Sequence, residues 1–409
     1  MQGLLGPPFH RNSARSIANL ALPRGFFEET TFCPGLPAGG VAGPPVGYNR
    51  GMQTEIKAYS LEGITEVVLG LGQQRFRGDQ LARWLYVYGA SDYQEMTNLP
   101  QSLRAALQEK HPLYKAQVID KKASKDGTRK YVVGFRDGAR AETVAIPTTG
   151  SPEDPAGPLR RLTVCFSTQV GCAMACAFCA TGKEGFSRNL LPGEIVDQVL
   201  MVQKDFGARV GNLVAMGQGE PFLNYDNTLA ALRIMNSPQG LAIGARHITV
   251  STCGIVTGIR RLSLEPEQFT LAVSLHSADQ AVRDLLMPAL AGDPLPRLKE
   301  ALLEYVGRTN RRVTLEYAMV DGVNDTPEAF AALVGFCSGL LCHVNLLPVN
   351  PIPLAGTAGD DSPSLFRPSP LPAIQRWQGR LEEAHIPATL RHSKGADIAG
   401  ACGQLKNTL

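Results

Sequence analysis

No run of apolar residues in this 409-residue chain is long enough to cross a bilayer, which excludes a helical membrane span. Nor is charge of one sign in excess. Lysine and arginine number 40 against 37 acids, and a net charge of +3 is too small to point to nucleic acid by itself. A paired-cysteine framework is also missing. The nine cysteines (33, 165, 172, 176, 179, 253, 337, 342 and 402) are odd in number and irregularly spaced, unlike a secreted disulfide scaffold. Free thiols suit a reducing cytosol. Periodicity is missing from residues 1–55, which are rich in Gly, Pro and Ala and read as a disordered extension. Acids are absent there until Glu28, and Arg11, Ser13, Arg15 and Ser16 faintly suggest a transit peptide. The preferred reading is a mis-set start, because Met52 directly precedes the first periodic segment.

What is present is concentrated in one stretch, Gly171-Cys172-Ala173-Met174-Ala175-Cys176-Ala177-Phe178-Cys179. Its spacing is C-x3-C-x2-C. A structural tetrahedral ion takes four protein ligands, and no histidine or fourth cysteine lies close by in sequence. A cubane cluster has four irons, so three cysteines leave one iron open for a small chelating ligand. The spacing resembles the signature of the radical-SAM enzymes, in which an aromatic residue usually precedes the last cysteine, as Phe178 does here. A zinc site with a distant fourth ligand, or simply buried thiols, are the other readings.

Along the chain, Leu61, Ile64, Val67, Val68 and Leu71 fall on one helical face, ended by Gly70 and Gly72. A second helix carries Leu81, Trp84, Leu85 and Tyr88 at i, i+3, i+4, i+7 spacing, with Trp84 and Tyr88 expected in a core. A third is expected over 101–110. Residues 130–135 and 139–146 alternate like strands around Asp137-Gly138, a hairpin signal, and the second of them carries Glu142. Between Lys110 and Arg140, nine basic residues face three acids. That is a footprint of phosphate binding or, equally, a solvated hairpin. From Leu162 onward short apolar strands (162–167, 212–216, 246–251, 269–275, 312–319, 341–347) alternate with helices (192–206, 226–236, 254–263, 279–286 with 295–307, 326–338). Six such units predict an α/β fold, a parallel, partial (β/α)6 barrel with a small N-terminal helical domain and a β-hairpin. A helix over 370–384 and a strand near 388–391 precede the tail. The expected divisions are 1–55, the extension; 56–115, the helical domain; 116–155, a hairpin linker with Glu142; 156–391, the barrel; and 392–409, the tail.

Ligands of such sheets bind at the C-terminal strand ends. The cysteine loop follows the first barrel strand. Later strands end in Gly217-Gln218-Gly219-Glu220-Pro221, Ser251-Thr252, Ser274-Leu275-His276 and Asn345 to Pro351. Singly each is weak. Jointly they supply donors and acceptors for an adenosyl cofactor, with Glu220 suited to an ammonium group. Cys165 lies in the first strand beside this rim. Cys402 lies on a glycine-flanked tail, Ala401-Cys402-Gly403-Gln404-Leu405, where little burial is expected.

With these pieces the chain resembles the RlmN/Cfr family of radical-SAM adenosine methyltransferases of ribosomal RNA, from about residue 56 to 409. The match runs through Glu142-Thr143-Val144, Cys165, Gln169 to Cys172, Arg188-Asn189-Leu190 and Met216 to Pro221. It continues through Ser251, Ser274-Leu275-His276, Asn345 to Pro351, Asp397-Ile398 and the tail motif. The family more often has methionine where Gln218 stands, and some members have a tail longer than the seven residues beyond Cys402.

The resemblance implies that Cys172, Cys176 and Cys179 hold a [4Fe–4S] cluster whose open iron binds S-adenosyl-L-methionine. It implies that Gly219, Glu220, Ser251, Ser274, Leu275, His276 and Asn350 line the S-adenosyl-L-methionine site. One S-adenosyl-L-methionine methylates Cys402, and a second yields a 5′-deoxyadenosyl radical, two per turnover. The activated S-methyl group adds to adenine C2, and Cys165 resolves the protein–RNA adduct by forming a disulfide with Cys402. Glu142 is the implied proton acceptor. The implied substrates are 23S rRNA at the peptidyl-transferase centre and the tRNA adenosine 3′ of the anticodon, presented as an unstacked base. Also implied are an electron donor such as flavodoxin, a monomeric state and a cytoplasmic location. Three alternatives stay open: methylation of adenine C8 on the same fold, a non-catalytic iron–sulfur or zinc protein that binds RNA, and a small-molecule radical-SAM enzyme.

Overall fold

Helix formation begins where Ser60 caps Leu61–Gly70 (α1), its side chain accepting the Gly63 N–H at 3.1 Å. Phe76–Tyr86 (α2) and Gln101–Lys110 (α3) complete an N-terminal helical region packed through Ile64, Val68, Leu81, Leu85, Leu103 and Leu107. The computed structural model describes residues 54–150, 157–352 and 366–406. The expected extension therefore lies, but for its last two residues, outside the described residues. Among the described residues no helix is long and apolar enough to cross a membrane.

The expectation for Tyr88 is corrected. Helix α2 ends at Tyr86, which is fully buried, and Gly89 then turns the chain at φ +65°. Tyr88 is left 59% exposed with its ring 5.0 Å from that of half-buried Trp84. The helical period fails where the helix stops.

The hairpin is part of a larger antiparallel unit. Gln117–Ala123 (β1), Arg129–Gly134 (β2) and Arg140–Thr149 (β3) pair in order, and β3 pairs with Leu159–Cys165 (β4), the first strand of the parallel set. A two-stranded sheet, Gln169–Gly171 (β5) with Phe186–Asn189 (β6), closes the base of the cysteine loop. The parallel strands continue as Asn212–Ala215 (β7), Ile248–Thr252 (β8), Thr270–Ser274 (β9), Val313–Met319 (β10), Cys342–Pro348 (β11) and Ala388–Leu390 (β12). The large sheet thus has ten strands in the order β1-β2-β3-β4-β7-β8-β9-β10-β11-β12. The alternation expected from Leu162 onward is borne out, with each strand within a few residues of its predicted place.

Register divides the sheet into two chemical faces, because successive side chains on a strand point oppositely. Val164, Leu213, Ile248, Leu271, Leu315 and Val344 share one face by their pairing and join a single buried core with the intervening helices. Those helices include Pro192–Phe206 (α5), which follows a short helix at Ala180–Glu184 (α4), then Tyr225–Asn236 (α6) and Val256–Leu262 (α7). Cys165, Ser251, Ser274, Glu316 and Asn345 share the other face. Val144 pairs with Cys165, so Glu142, two residues away on β3, belongs to this polar face too. At the rim, residues following β7, β8, β9 and β11 line one cavity, which requires the sheet to curl around it.

Candidate active site

The cysteine loop is built by its ends. Gly171 has φ +72°, and a Cβ there would lie 2.0 Å from the Gly185 carbonyl oxygen, which accepts the Cys172 N–H at 2.8 Å. Only glycine lets the β5–β6 ladder close this tightly. Within the loop the Cys179 N–H donates to the Cys176 carbonyl at 3.0 Å, and the Ala177 N–H to that of Leu286 at 2.9 Å. Cys172, Cys176 and Cys179 line the same cavity of about 150 Å³, together with Gly219, Glu220, Ser251, Ser274, His276, Asn350 and Cys402. Burial pushes the Cys172 thiol up to about 12 and raises those of Cys176 and Cys179; Cys172 and Cys176 are raised further by repulsion from the neighbouring cysteines.

Among the described residues no three His, Cys, Asp or Glu side chains are placed to hold a single metal ion. A cubane spreads its cysteine ligands over separate irons, whereas one tetrahedral ion gathers them within about 2.3 Å. Three soft sulfur donors on one short loop fit an iron–sulfur cluster.

The strand ends supply the polar wall. Gly219 has φ +99°, and a Cβ would lie 2.5 Å from that of Gln169, so the turn before Glu220 also requires glycine. Glu220 is buried, and its two carboxylate oxygens accept the N–H groups of Phe222 (2.9 Å) and Cys253 (2.7 Å). Burial nevertheless raises its pKa above the usual carboxylate value. His276 has φ +54°, and its Nδ1 accepts the Ala318 N–H at 3.0 Å. Burial depresses its pKa to about 3, so the ring is neutral and carries its proton on Nε2. Phe178 stands edge-on to it at 4.8 Å. Leu275 is placed differently. It follows Ser274 onto the apolar side, is fully buried and does not line the cavity.

The tail is docked, while Cys402 itself stays exposed, as expected. Ala401 and Leu405 are each 4% exposed and flank Cys402, which reaches solvent through the cavity. Asn350 Nδ2 donates to the Cys402 carbonyl (2.9 Å), Ala180 N to the Gly403 carbonyl (2.7 Å) and Thr181 Oγ1 to the Leu405 carbonyl (2.7 Å). Crowding by protein atoms, then repulsion from Cys179 and Glu316, pushes the Cys402 thiol up to about 12. Cys165 is pushed to about 12 by burial and by Cys402 itself, so the two thiols feel one another.

Glu142 is buried in its strand. It is 1% exposed, its Oε1 pairs with Lys130 Nζ at 2.9 Å, and its Oε2 accepts the Lys406 N–H at 2.8 Å. Burial outweighs both partners and raises its pKa.

Several contributors escaped the sequence. Arg283 on Gln280–Leu286 (α8) is 3% exposed and donates to the carbonyls of Cys253, Ser274 and Leu275, tying two strand ends together. Glu316 faces Cys402 and accepts from Asn345 Nδ2 at 2.9 Å. Gln218 fixes the Glu142 backbone, accepting its N–H at 3.1 Å. Asn324, fully buried, donates to the carbonyls of His276 and Ala318 (2.7 Å each) and accepts the Val320 N–H at 2.7 Å. Asn324→Ala would strand all three groups, and a loss of about 3 kcal/mol is expected in urea unfolding at unchanged slope.

Comparison with known proteins gives the constellation its relatives. Residues 166–334 match the model of the radical SAM superfamily, and residues 54–112 that of the ribosomal RNA large subunit methyltransferase N-terminal domain. The chain is 42% identical over 361 residues to a probable dual-specificity RNA methyltransferase RlmN of Pelotomaculum thermopropionicum, covering 88% of this chain and 93% of the relative. The chain belongs to the RlmN family. A Synechococcus elongatus member, likewise a probable dual-specificity RNA methyltransferase RlmN, is 43% identical over 359 residues, covering 86% of this chain and 93% of its own length. A crystal structure of a radical SAM methyltransferase from Sphaerobacter thermophilus superposes with a TM-score of 0.76 at 41% identity, covering 86% of this chain and 99% of the other. Membership of the radical SAM superfamily implies a [4Fe–4S] cluster and S-adenosyl-L-methionine.

Proposed function

We propose that this RlmN-family chain is a radical-SAM RNA methyltransferase acting on C2 of an adenosine in the large-subunit rRNA and of the tRNA adenosine 3′ of the anticodon. The observation that carries the reading is the docked tail. It brings Cys402 to the cavity lined by Cys172, Cys176 and Cys179, and its Lys406 N–H hydrogen-bonds Glu142.

Cys172, Cys176 and Cys179 would hold the cluster, with Gly219, Glu220, Ser251, Ser274, His276 and Asn350 disposed toward S-adenosyl-L-methionine. Cluster and cofactor together supply the single-electron chemistry that an unreactive ring carbon demands. The chain's own residues do the rest. Cys402 carries the methyl group as a thioether, its sulfur having displaced the sulfonium of one S-adenosyl-L-methionine, so turnover uses two. Cys165 attacks the Cys402 sulfur to release the product as the S–C bond breaks. Glu142, made more basic by burial, takes the proton from the ring carbon. Lys130 beside it balances the ionised carboxylate until that transfer.

The helical region and the basic strands β1 and β2 would supply the RNA-contact surface. A single-electron donor of the flavodoxin type, a monomer and a cytoplasmic location complete the proposal. The test is mass spectrometry of adenosines digested from rRNA and tRNA of cells with and without the protein. Loss of 2-methyladenosine is expected. Loss of 8-methyladenosine, or no change in either from cluster-loaded protein, would overturn the C2 assignment.

A further inference from the structure

A second cavity, of about 350 Å³, lies at the same rim of the sheet but outside the cysteine site. It is bounded by Glu55 and Lys57, by Tyr114 to Gln117, by the β2–β3 turn with Arg136 and Arg140, and by the first turns of α5. Arg140 begins β3, four residues before the Val144–Cys165 pair, so this part of the opening lies beyond the C-terminal end of β4, and the cavity shares no lining residue with the reaction cavity. Its volume falls in the range that small-molecule pockets occupy, about 300–1,000 Å³.

The floor is built rather than incidental. Lys57 and Asp197 form a buried ion pair, and Asp197 also accepts the Ala116 N–H at 3.0 Å. Gly193 lets Lys57 press on α5, since a Cβ would lie 2.4 Å from that of Lys57. Glu55 is 5% exposed, and its Oε2 has no hydrogen-bond partner among the described residues. An unpaired buried carboxylate oxygen is costly, by about 1–3 kcal/mol or more, unless a ligand donor meets it. Burial, together with Glu194 and Asp197, raises the Glu55 pKa to about 7 despite Lys57 and Arg136. At the mouth, the Arg136 guanidinium lies over the Tyr114 ring at 3.9 Å, with Arg140 and Lys115 alongside.

A deep acceptor, a planar stacking platform and a cationic mouth describe a nucleotide: an N–H-bearing base edge inside, an aromatic face, a phosphate outside. We propose that this pocket captures one amino-bearing nucleotide of the substrate RNA, other than the methylated adenosine, with its base edge on Glu55 and its phosphate on Arg136 and Arg140. This rests on the RNA-methyltransferase reading. A second anchored nucleotide would fix the register in which the target base is presented.

The test uses the full chain at pH 8, where Glu55 is ionised. Guanosine and inosine monophosphates, which differ by one amino group, are titrated by calorimetry, and a short stem–loop RNA substrate by filter binding. Guanosine monophosphate is expected to bind about tenfold or more tighter than inosine monophosphate, since a site built for an N–H rejects the analogue that lacks it. Ala116→Trp, which crowds the cavity while keeping every charged side chain, should abolish nucleotide binding. Glu55→Gln should erase the preference for the amine. Both should weaken RNA about tenfold while leaving thermal unfolding two-state. Nucleotide binding that survives Ala116→Trp, or RNA affinity unchanged in both variants, would overturn the proposal. If the unaltered chain binds no RNA but still prefers guanosine monophosphate, the RNA reading fails instead.

Discussion

Cys402→Ala, loaded with its cluster, is expected to lower RNA methylation by about 10³-fold or more, the scale on which enzymes lose activity when a covalent nucleophile is removed. The fold should not notice. The tail is held by buried Ala401 and Leu405 and by hydrogen bonds to the carbonyls of Cys402, Gly403 and Leu405 and from the Lys406 N–H, none of which uses the thiol. The variant should therefore melt with the parent chain, bind the same iron and still cleave S-adenosyl-L-methionine to 5′-deoxyadenosine. Cys337→Ala, in the core far from the cavity, is the matched thiol deletion and should methylate normally. Methylation by Cys402→Ala at the parent rate would show that the methyl group does not travel through the protein.

Gly171→Ala should strike the other half of the site. The substitution forces a side chain into left-handed backbone and drives its Cβ to 2.0 Å from the Gly185 oxygen. Relief means opening the β5–β6 ladder, a local cost of about 3 kcal/mol or more. That ladder sets the ends of the segment bearing Cys172, Cys176 and Cys179. The expected result is less than half the parent's iron after identical anaerobic reconstitution, with the core's unfolding midpoint little changed. Gly70→Ala, where a Cβ meets nothing within 4 Å, should bind iron fully and serves as the control. Full iron in Gly171→Ala would mean that the loop ends do not organise the thiols.

The parallel strands were legible because each alternates. Ile248-Thr249-Val250-Ser251 sends its apolar residues to the helices and its polar ones to the cavity. The cysteine spacing was legible because its demand is met within a few residues, whereas the glycines at 171 and 219 answer to Gly185 and Gln169, which only the fold brings to them. Strand β1 was not, since Gln117–Ala123 is an exposed edge without alternation. The burial of Glu142 was not legible either, because its partners come from elsewhere. Lys130 faces it across a strand pair, and Lys406 arrives from a tail 264 residues later. Arg283 reads as an ordinary helix cation, and only the folded chain delivers three carbonyls to it. The docking of Cys402 is of the same kind, resting on Ala180, Thr181 and Asn350.

The Val144–Cys165 pairing sets a rule for how this chain can change length. One residue gained or lost between Val144 and Glu142 would turn the carboxylate to the opposite face of the sheet while leaving every strand intact. The connection between β3 and β4 carries no such parity, since residues added there leave the register untouched. Insertions among descendants of this protein should therefore collect between Thr149 and Leu159 and be missing from Glu142 to Ile146, whatever happens to the residues themselves.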